Sequence, residues 1–155
     1  MKLNYIVIPL IAAGVSAVGG SFTSSGMDWY RAINLPPWTP PGSIIGVIWT
    51  VIYILTAASA IIVWNTWPRP AAFRAIIALF AVNAFLNATW SFVFFARGMI
   101  SAAFVHALAL EATVIALLLL IRPISKTAAL LLAPYAAWTA FASFLTLTIA
   151  RLNAA

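Results

Sequence analysis

Asn83, Asn87 and Trp90 stand at i, i+4 and i+7 within an apolar stretch. A helix through them puts two carboxamides and an indole on one face. Trp49 and Tyr53 share a helical face in the same way, and Tyr135, Trp138 and Ala142 do so roughly. Carboxamides both donate and accept hydrogen bonds, and indoles offer flat apolar faces. Together they make the chemistry of a pocket for a flat, largely apolar molecule carrying a few polar atoms. The plainer reading has the amides bonding across a helix bundle while the tryptophans fill space. Residue types alone leave both readings open.

Two ionisable groups lie in an apolar run. Glu111 sits near the middle of a hydrophobic segment, where an acidic side chain costs ~2.5–3.5 kcal/mol to insert into a bilayer. Flanking residues such as Val114 to Ile121 offset this at ~0.3–0.6 kcal/mol each, so Glu111 is expected to face other helices rather than lipid. His106 precedes it by five residues, about 140° around a helix, so the two share no face. They are not a metal-ligand pair, and a lone histidine is more often a hydrogen-bonded bundle residue than a ligand. With no cysteine in the chain, thiolate catalysis, disulfides and cysteine-based metal sites are excluded. No nucleophile–base pair or metal cluster supports hydrolytic or redox catalysis. Proton-linked transport using Glu111 and His106 remains an alternative.

The elements that must position these residues are membrane spans. Of 155 residues, 65% are hydrophobic and 6% charged, against roughly 25% charged in soluble domains, and the mean hydropathy is +1.10. A span needs ~20 apolar residues, and five segments qualify: 3–25, 42–65, 71–96, 100–121 and 127–151. Val15-Ser16-Ala17 imitates a signal-peptidase site, but the apolar run continues to about Phe22 and reads as a first span. Trp67-Pro68-Arg69-Pro70, Arg97-Gly98 and Arg122-Pro123 break the later segments, and Pro134 should kink the fifth. The expected fold is an all-α membrane protein, a five-transmembrane-helix bundle forming a single domain over 1–155. Small-residue spacings, Ser16/Gly20 and Gly42/Gly46 among them, would permit close helix contact or an oligomer interface.

The formal net charge of +6 is scattered between spans rather than gathered in a patch, which argues against nucleic-acid binding. Lys2, Arg69, Arg74, Arg122 and Lys126 fall on the amino-terminal side, and Arg31, Arg97 and Arg151 on the other. Five against three favours a cytoplasmic amino terminus. Loop 26–41 holds four prolines around Trp38, too stiff for a helix or a paired strand at that point. It is expected to form a lid. Reflecting positions about each short turn, at ~1.5 Å rise per residue, brings Trp49, Tyr53, Asn83, Asn87, Glu111 and Trp138 to one depth. That layer lies ~10 Å below the proline loop.

These residues resemble the tryptophan-rich sensory protein / translocator protein family (TspO/MBR, peripheral-type benzodiazepine receptor). The resemblance rests on Trp38-Thr39-Pro40-Pro41-Gly42, Ile48-Trp49, Asn83 with Asn87 and Trp90, Phe94-Phe95-Ala96-Arg97, and Pro134-Tyr135 with Trp138 and Ala140-Phe141-Ala142. In order and at matching spacing, they span essentially the whole chain. The resemblance implies five membrane helices, often a homodimer, in a bacterial cell membrane, with protoporphyrin IX or haem as ligand and no obligatory cofactor. Pocket positions carry over to Tyr30, Trp38, Trp49, Tyr53, Asn83, Asn87, Trp138 and Ala142. Trp90, His106, Glu111 and Tyr135 join them as candidates from the layer and its neighbours. The resemblance also implies light-dependent porphyrin breakdown near Trp49 and Trp138, although a binding sensor or translocator is the leading expectation. The sterol pattern of the family needs a tyrosine that Leu145 to Arg151 lacks, so sterol binding is not expected. His106 also stands where many members have Asp.

Overall fold

The computed structural model describes residues 2–154. Among them every regular element is helical. The long helices are α1 (Asn4–Ser25), α3 (Gly42–Asn65), α4 (Phe73–Ser91), α5 (Ile100–Ile121) and α6 (Lys126–Leu152). All five are long and apolar enough to cross a membrane, so the chain is a multi-pass integral membrane protein. The expected boundaries hold to within two residues. Two local features depart from expectation. Loop 26–41 contains a short helix, α2 (Met27–Ala32). The third span ends in a π-helical turn, Phe92–Ala96.

Around the bundle the long helices run in the order α1, α3, α6, α5, α4, with α4 closing back on α1. Lipid tails are as apolar as leucine, so packing and interhelical hydrogen bonds hold such helices together rather than water exclusion. One end is tightly packed: Val63, Ile76, Leu117, Ile121 and Leu132 have no exposed surface. Ser59 Oγ donates to Ala128 O at 2.8 Å, tying α3 to α6. Ser125 caps α6 at that end, its Oγ accepting from Ala128 N at 3.2 Å. Pro134 does not interrupt α6, which runs unbroken through it.

The opposite end is looser, because α1 is a poor packing partner there. Only Asn4 and Gly19 of its 22 residues are buried. Lys2 Nζ donates to Asn65 Oδ1 at 3.3 Å, which sets α1 against α3 with Gly20 at about the level of Gly46. A methyl group built on Gly20, Gly42 or Gly46 meets no atom within 4 Å. Small residues therefore face open space here, and Ser16, Gly20, Gly42 and Gly46 border an internal cavity.

The π turn organises the upper end. Arg97 N donates to Phe92 O at 3.0 Å, the i to i+5 bond of a π bulge. The bulge turns Phe94 and Phe95 toward α2. Trp29 meets Phe94 edge-on at 5.6 Å, and Tyr30 meets Phe95 at 5.3 Å. Gly26 makes this docking feasible, since a Cβ there would lie 2.1 Å from Phe95 O. Gly98, at φ 61°, supplies the left-handed turn into α5 beneath the Trp29 ring.

Candidate functional site

A cavity of about 400 Å³ lies between the five long helices and beneath α2, within the ~300–1,000 Å³ range of small-molecule pockets. From α3 it is walled by Trp49 and Tyr53, from α4 and the π turn by Asn87, Trp90 and Phe94, and from α6 by Trp138, Thr139 and Ala142. Helix α1 contributes only small side chains, Ser16, Gly19, Gly20 and Thr23 among them. Met27 and Tyr30 of α2 bound the top. Burial raises the Tyr30 phenol above its ordinary pKa, so it stays a neutral donor.

The aromatic wall is ordered. Trp49 stacks on Tyr53 at 5.7 Å with ring planes 29° apart, and meets Tyr135 edge-on at 5.9 Å. Trp90 stacks on Phe94 at 5.0 Å, nearly parallel. Its Nε1 donates to Ala103 O at 3.0 Å, which fixes the indole against α5.

Behind this wall runs a directed chain of hydrogen bonds. The Thr113 hydroxyl donates to Leu110 O at 2.7 Å, so its lone pairs are left to accept. Asn83 Nδ2 donates to that oxygen at 2.9 Å, which turns Asn83 Oδ1 toward Tyr135. Tyr135 OH donates to Asn83 Oδ1 at 3.1 Å and accepts from Asn87 Nδ2 at 2.8 Å. Asn87 Oδ1 then accepts from Tyr53 OH at 2.6 Å. Every carboxamide therefore has partners on both sides, and α3, α4, α5 and α6 are joined through one network. Toward the cavity, Tyr53 has only lone pairs left to offer. Trp138 Nε1 is different, because it is buried and has no hydrogen-bond partner among the described residues.

The structure brings together seven of the sequence-derived candidates on the cavity wall: Tyr30, Trp49, Tyr53, Asn87, Trp90, Trp138 and Ala142. Both indoles on which the pocket reading depends, Trp49 and Trp138, face inward. Asn83 and Tyr135 lie one layer behind, as the bonds above require.

Three candidates fall elsewhere. Trp38 does not cap the cavity. It stacks on Phe144 at 5.6 Å with planes 16° apart, meets Phe141 edge-on, and is 43% exposed. The reason is a clasp earlier in the loop: Asn34 N donates to Asn153 Oδ1 at 2.9 Å, and Asn153 Nδ2 to Asn34 O at 2.8 Å. This draws the proline segment onto α6, and the lid position falls to α2.

Glu111 faces the bundle as expected, but it is not a wall residue. Its Oε2 is bonded to the Thr139 hydroxyl, and Thr139 is the side chain that reaches the cavity. His106 is bonded through Nε2 to Leu86 O at 2.8 Å. A carbonyl only accepts, so that nitrogen carries hydrogen and joins α5 to α4 rather than holding a metal. Among the described residues no cluster of metal-ligating side chains is present.

Sequence reasoning missed Thr113 and Thr139, as well as Met27, Phe94 and the α1 wall. The first two were within reach: Thr113 is Asn83 reflected about Gly98, and Thr139 is Glu111 reflected about Ser125.

The sequence model described as the TspO/MBR family matches residues 5–152. The chain is 34% identical over 154 residues to the tryptophan-rich protein TspO of Bacillus cereus, covering 99% of each chain. It is 32% identical to the translocator protein of Ovis aries over 121 residues, 77% of this chain and 72% of that one. The protein CrtK of Rhodobacter capsulatus is 26% identical over 99% of this chain and 95% of its own.

Proposed function

This chain belongs to the TspO/MBR family of membrane sensors and translocators, and from that premise we propose that its cavity binds a tetrapyrrole of the protoporphyrin IX or haem type. The observation that carries the reading is the wall itself: indole and phenol faces from α3, α4 and α6 around about 400 Å³, with the carboxamides already spent on one another. Such a wall selects for a flat apolar ring system by stacking. Trp138 Nε1 is a buried donor available to a polar atom of the ligand. No Lys, Arg, Asp or Glu lines the cavity. Carboxylates on the ligand would therefore stay at the upper rim, on the side where Arg31, Arg97 and Arg151 lie.

The test is binding of protoporphyrin IX to the purified protein, followed by quenching of tryptophan fluorescence. Truncating a stacked aromatic typically costs a binding partner ~1–3 kcal/mol, so Trp49→Ala and Trp138→Ala should each weaken binding about tenfold or more. Trp38→Ala should change it less than about threefold, since Trp38 lies outside the wall. Unchanged affinity in both wall variants would remove the reading.

The same two indoles favour a second reading, light-driven oxidation of the bound porphyrin by dioxygen. Both face one cavity from different helices, within reach of an excited ring system. The proposed homodimer and the bacterial cell membrane as location both follow from the family rather than from the cavity.

A further inference from the structure

The tightly packed end of the molecule carries a second candidate site, built from the start of α1, the end of α3 and the α3–α4 turn. Lys2, Asn4, Trp64, Asn65, Trp67 and Arg69 line one groove there. Asn4 is only 8% exposed, yet its Nδ2 has no hydrogen-bond partner among the described residues. A buried amide donor left unpaired calls for an acceptor.

Two cations line the same groove as that donor. Arg69 is held by aromatic faces, its guanidinium carbon 4.0 Å from the centre of the Phe73 ring and 5.4 Å from that of Trp64. Held face-on in this way, the guanidinium keeps its N–H edge free for a planar or tetrahedral anion. Lys2 is positioned by Asn65, whose Nδ2 donates to Ile61 O and whose Oδ1 accepts from Lys2 Nζ. That leaves two ammonium hydrogens unspent. The ion pair among the described residues, Arg31 with Asp28, lies at the opposite face, so neither cation is neutralised by a carboxylate.

We infer that this groove binds the phosphate of an anionic phospholipid, with Arg69, Lys2 and Asn4 Nδ2 as its donors. The depth is right for a headgroup, since the residues flank the ends of two spans. The surroundings suit a lipid better than a free ion. Trp67 is 83% exposed beside the groove, and α1 runs into the bilayer from it with Leu3, Val7 and Leu10 exposed. The groove shares no lining residue with the cavity between the helices.

The experiment is native mass spectrometry of the full-length protein in detergent, titrated separately with phosphatidylglycerol, phosphatidylcholine and inorganic phosphate. Phosphatidylglycerol should bind about tenfold more tightly than phosphatidylcholine, which carries the same phosphate but adds a choline cation that Lys2 and Arg69 repel. Arg69→Gln should abolish that preference, Arg69→Lys should restore only part of it, and Asn4→Leu should reduce it several-fold without any change in charge. Arg122→Gln, a charge removed at the same end but outside the groove, should leave the preference intact. Circular dichroism of each variant shows whether it is folded, and the Arg69→Lys and Arg122→Gln proteins serve as readouts if Asn4→Leu does not fold. Equal binding of the two lipids overturns the inference. So does an Arg122→Gln effect as large as that of Arg69→Gln, which would mean general surface attraction. Displacement of the lipid by millimolar inorganic phosphate would replace the lipid with a soluble anion as occupant and likewise overturn the assignment.

Discussion

Replacing Tyr135 with phenylalanine removes one oxygen and almost no volume, so it tests the buried hydrogen-bond chain without disturbing packing. That oxygen accepts from Asn87 Nδ2 at 2.8 Å and donates to Asn83 Oδ1 at 3.1 Å. Tyr135 is 3% exposed, so water has no ready path to the orphaned amides. In a soluble protein each unpaired buried group would cost ~1–3 kcal/mol. Within a bilayer the figure is smaller, averaging ~0.6 and reaching ~1.7 kcal/mol per interhelical bond, because the unfolded chain also finds partners in lipid. Two bonds lost together place the expected destabilisation of Tyr135→Phe at ~1–3 kcal/mol. Tyr53→Phe orphans a single atom, Asn87 Oδ1, and does so at the cavity wall where water can reach it. Its cost should be ~0.6 kcal/mol or less. Equilibrium unfolding in mixed micelles, with detergent composition as the denaturant, gives both values on one scale. The double variant Asn83→Leu with Tyr135→Phe should cost less than the sum of its parts, since the two side chains share a bond. A Tyr135→Phe protein as stable as wild type, or a Tyr53→Phe protein less stable than it, would refute the network as a structural element.

Gly26→Ala should lower the unfolding midpoint by the equivalent of ~1–3 kcal/mol, because its Cβ would strike a backbone carbonyl 2.1 Å away; Gly20→Ala, facing open space, should be neutral or slightly stabilising. Both are read from thermal melts in detergent. Glu111→Gln should leave porphyrin affinity within about twofold, because Glu111 meets the cavity only through Thr139. Uptake into liposomes across a pH gradient should also be unaffected, and loss of uptake would instead support proton-linked transport. Illumination of the porphyrin complex in air should give a discrete product only if the wall indoles take part. Trp49→Phe and Trp138→Phe should then slow its formation, whereas bleaching identical to that of free porphyrin would dispose of the oxidation reading.

The spans were legible because hydropathy and length decide them, and the breaks at Pro68, Gly98 and Pro123 are chemically unambiguous. Pairing across the bundle was legible only to the accuracy of each turn. Reflection about Pro68 set Asn87 against Trp49, whereas the side chain that bonds Asn87 is Tyr53. The difference arises at the start of the third span: α4 begins at Phe73 rather than Ala71, so the extra turn residues shift its register against α3. About the tight Gly98 turn no such slack exists, and Asn83 meets Thr113 where reflection places it. What sequence could not give was the π bulge at Phe92–Ala96. The bulge depends on where Gly26 and α2 dock, a long-range contact with no local periodicity to announce it. The course of Trp38 was hidden for the same reason, since the Asn34–Asn153 clasp joins residues from opposite ends of the chain.

The cavity follows from an asymmetry between one helix and the other four. Helices α3 to α6 are bound together by the amide–phenol chain, by Ser59 on Ala128 and by His106 on Leu86, so that shell has little freedom to collapse inward. Helix α1, with glycine, serine and threonine on its inner side, has no side chain large enough to fill the space between. An apolar void of this size would ordinarily cost stability, and the hydrogen-bonded shell is what keeps it open. The same division assigns the chemistry. The carboxamides that might have bound a ligand are consumed in holding the wall apart, so recognition passes to ring faces and to a few donors such as Trp138 Nε1 and the Tyr30 hydroxyl. A pocket made in this way discriminates by flatness and area, and substitutions behind the wall should alter its stability before they alter its selectivity.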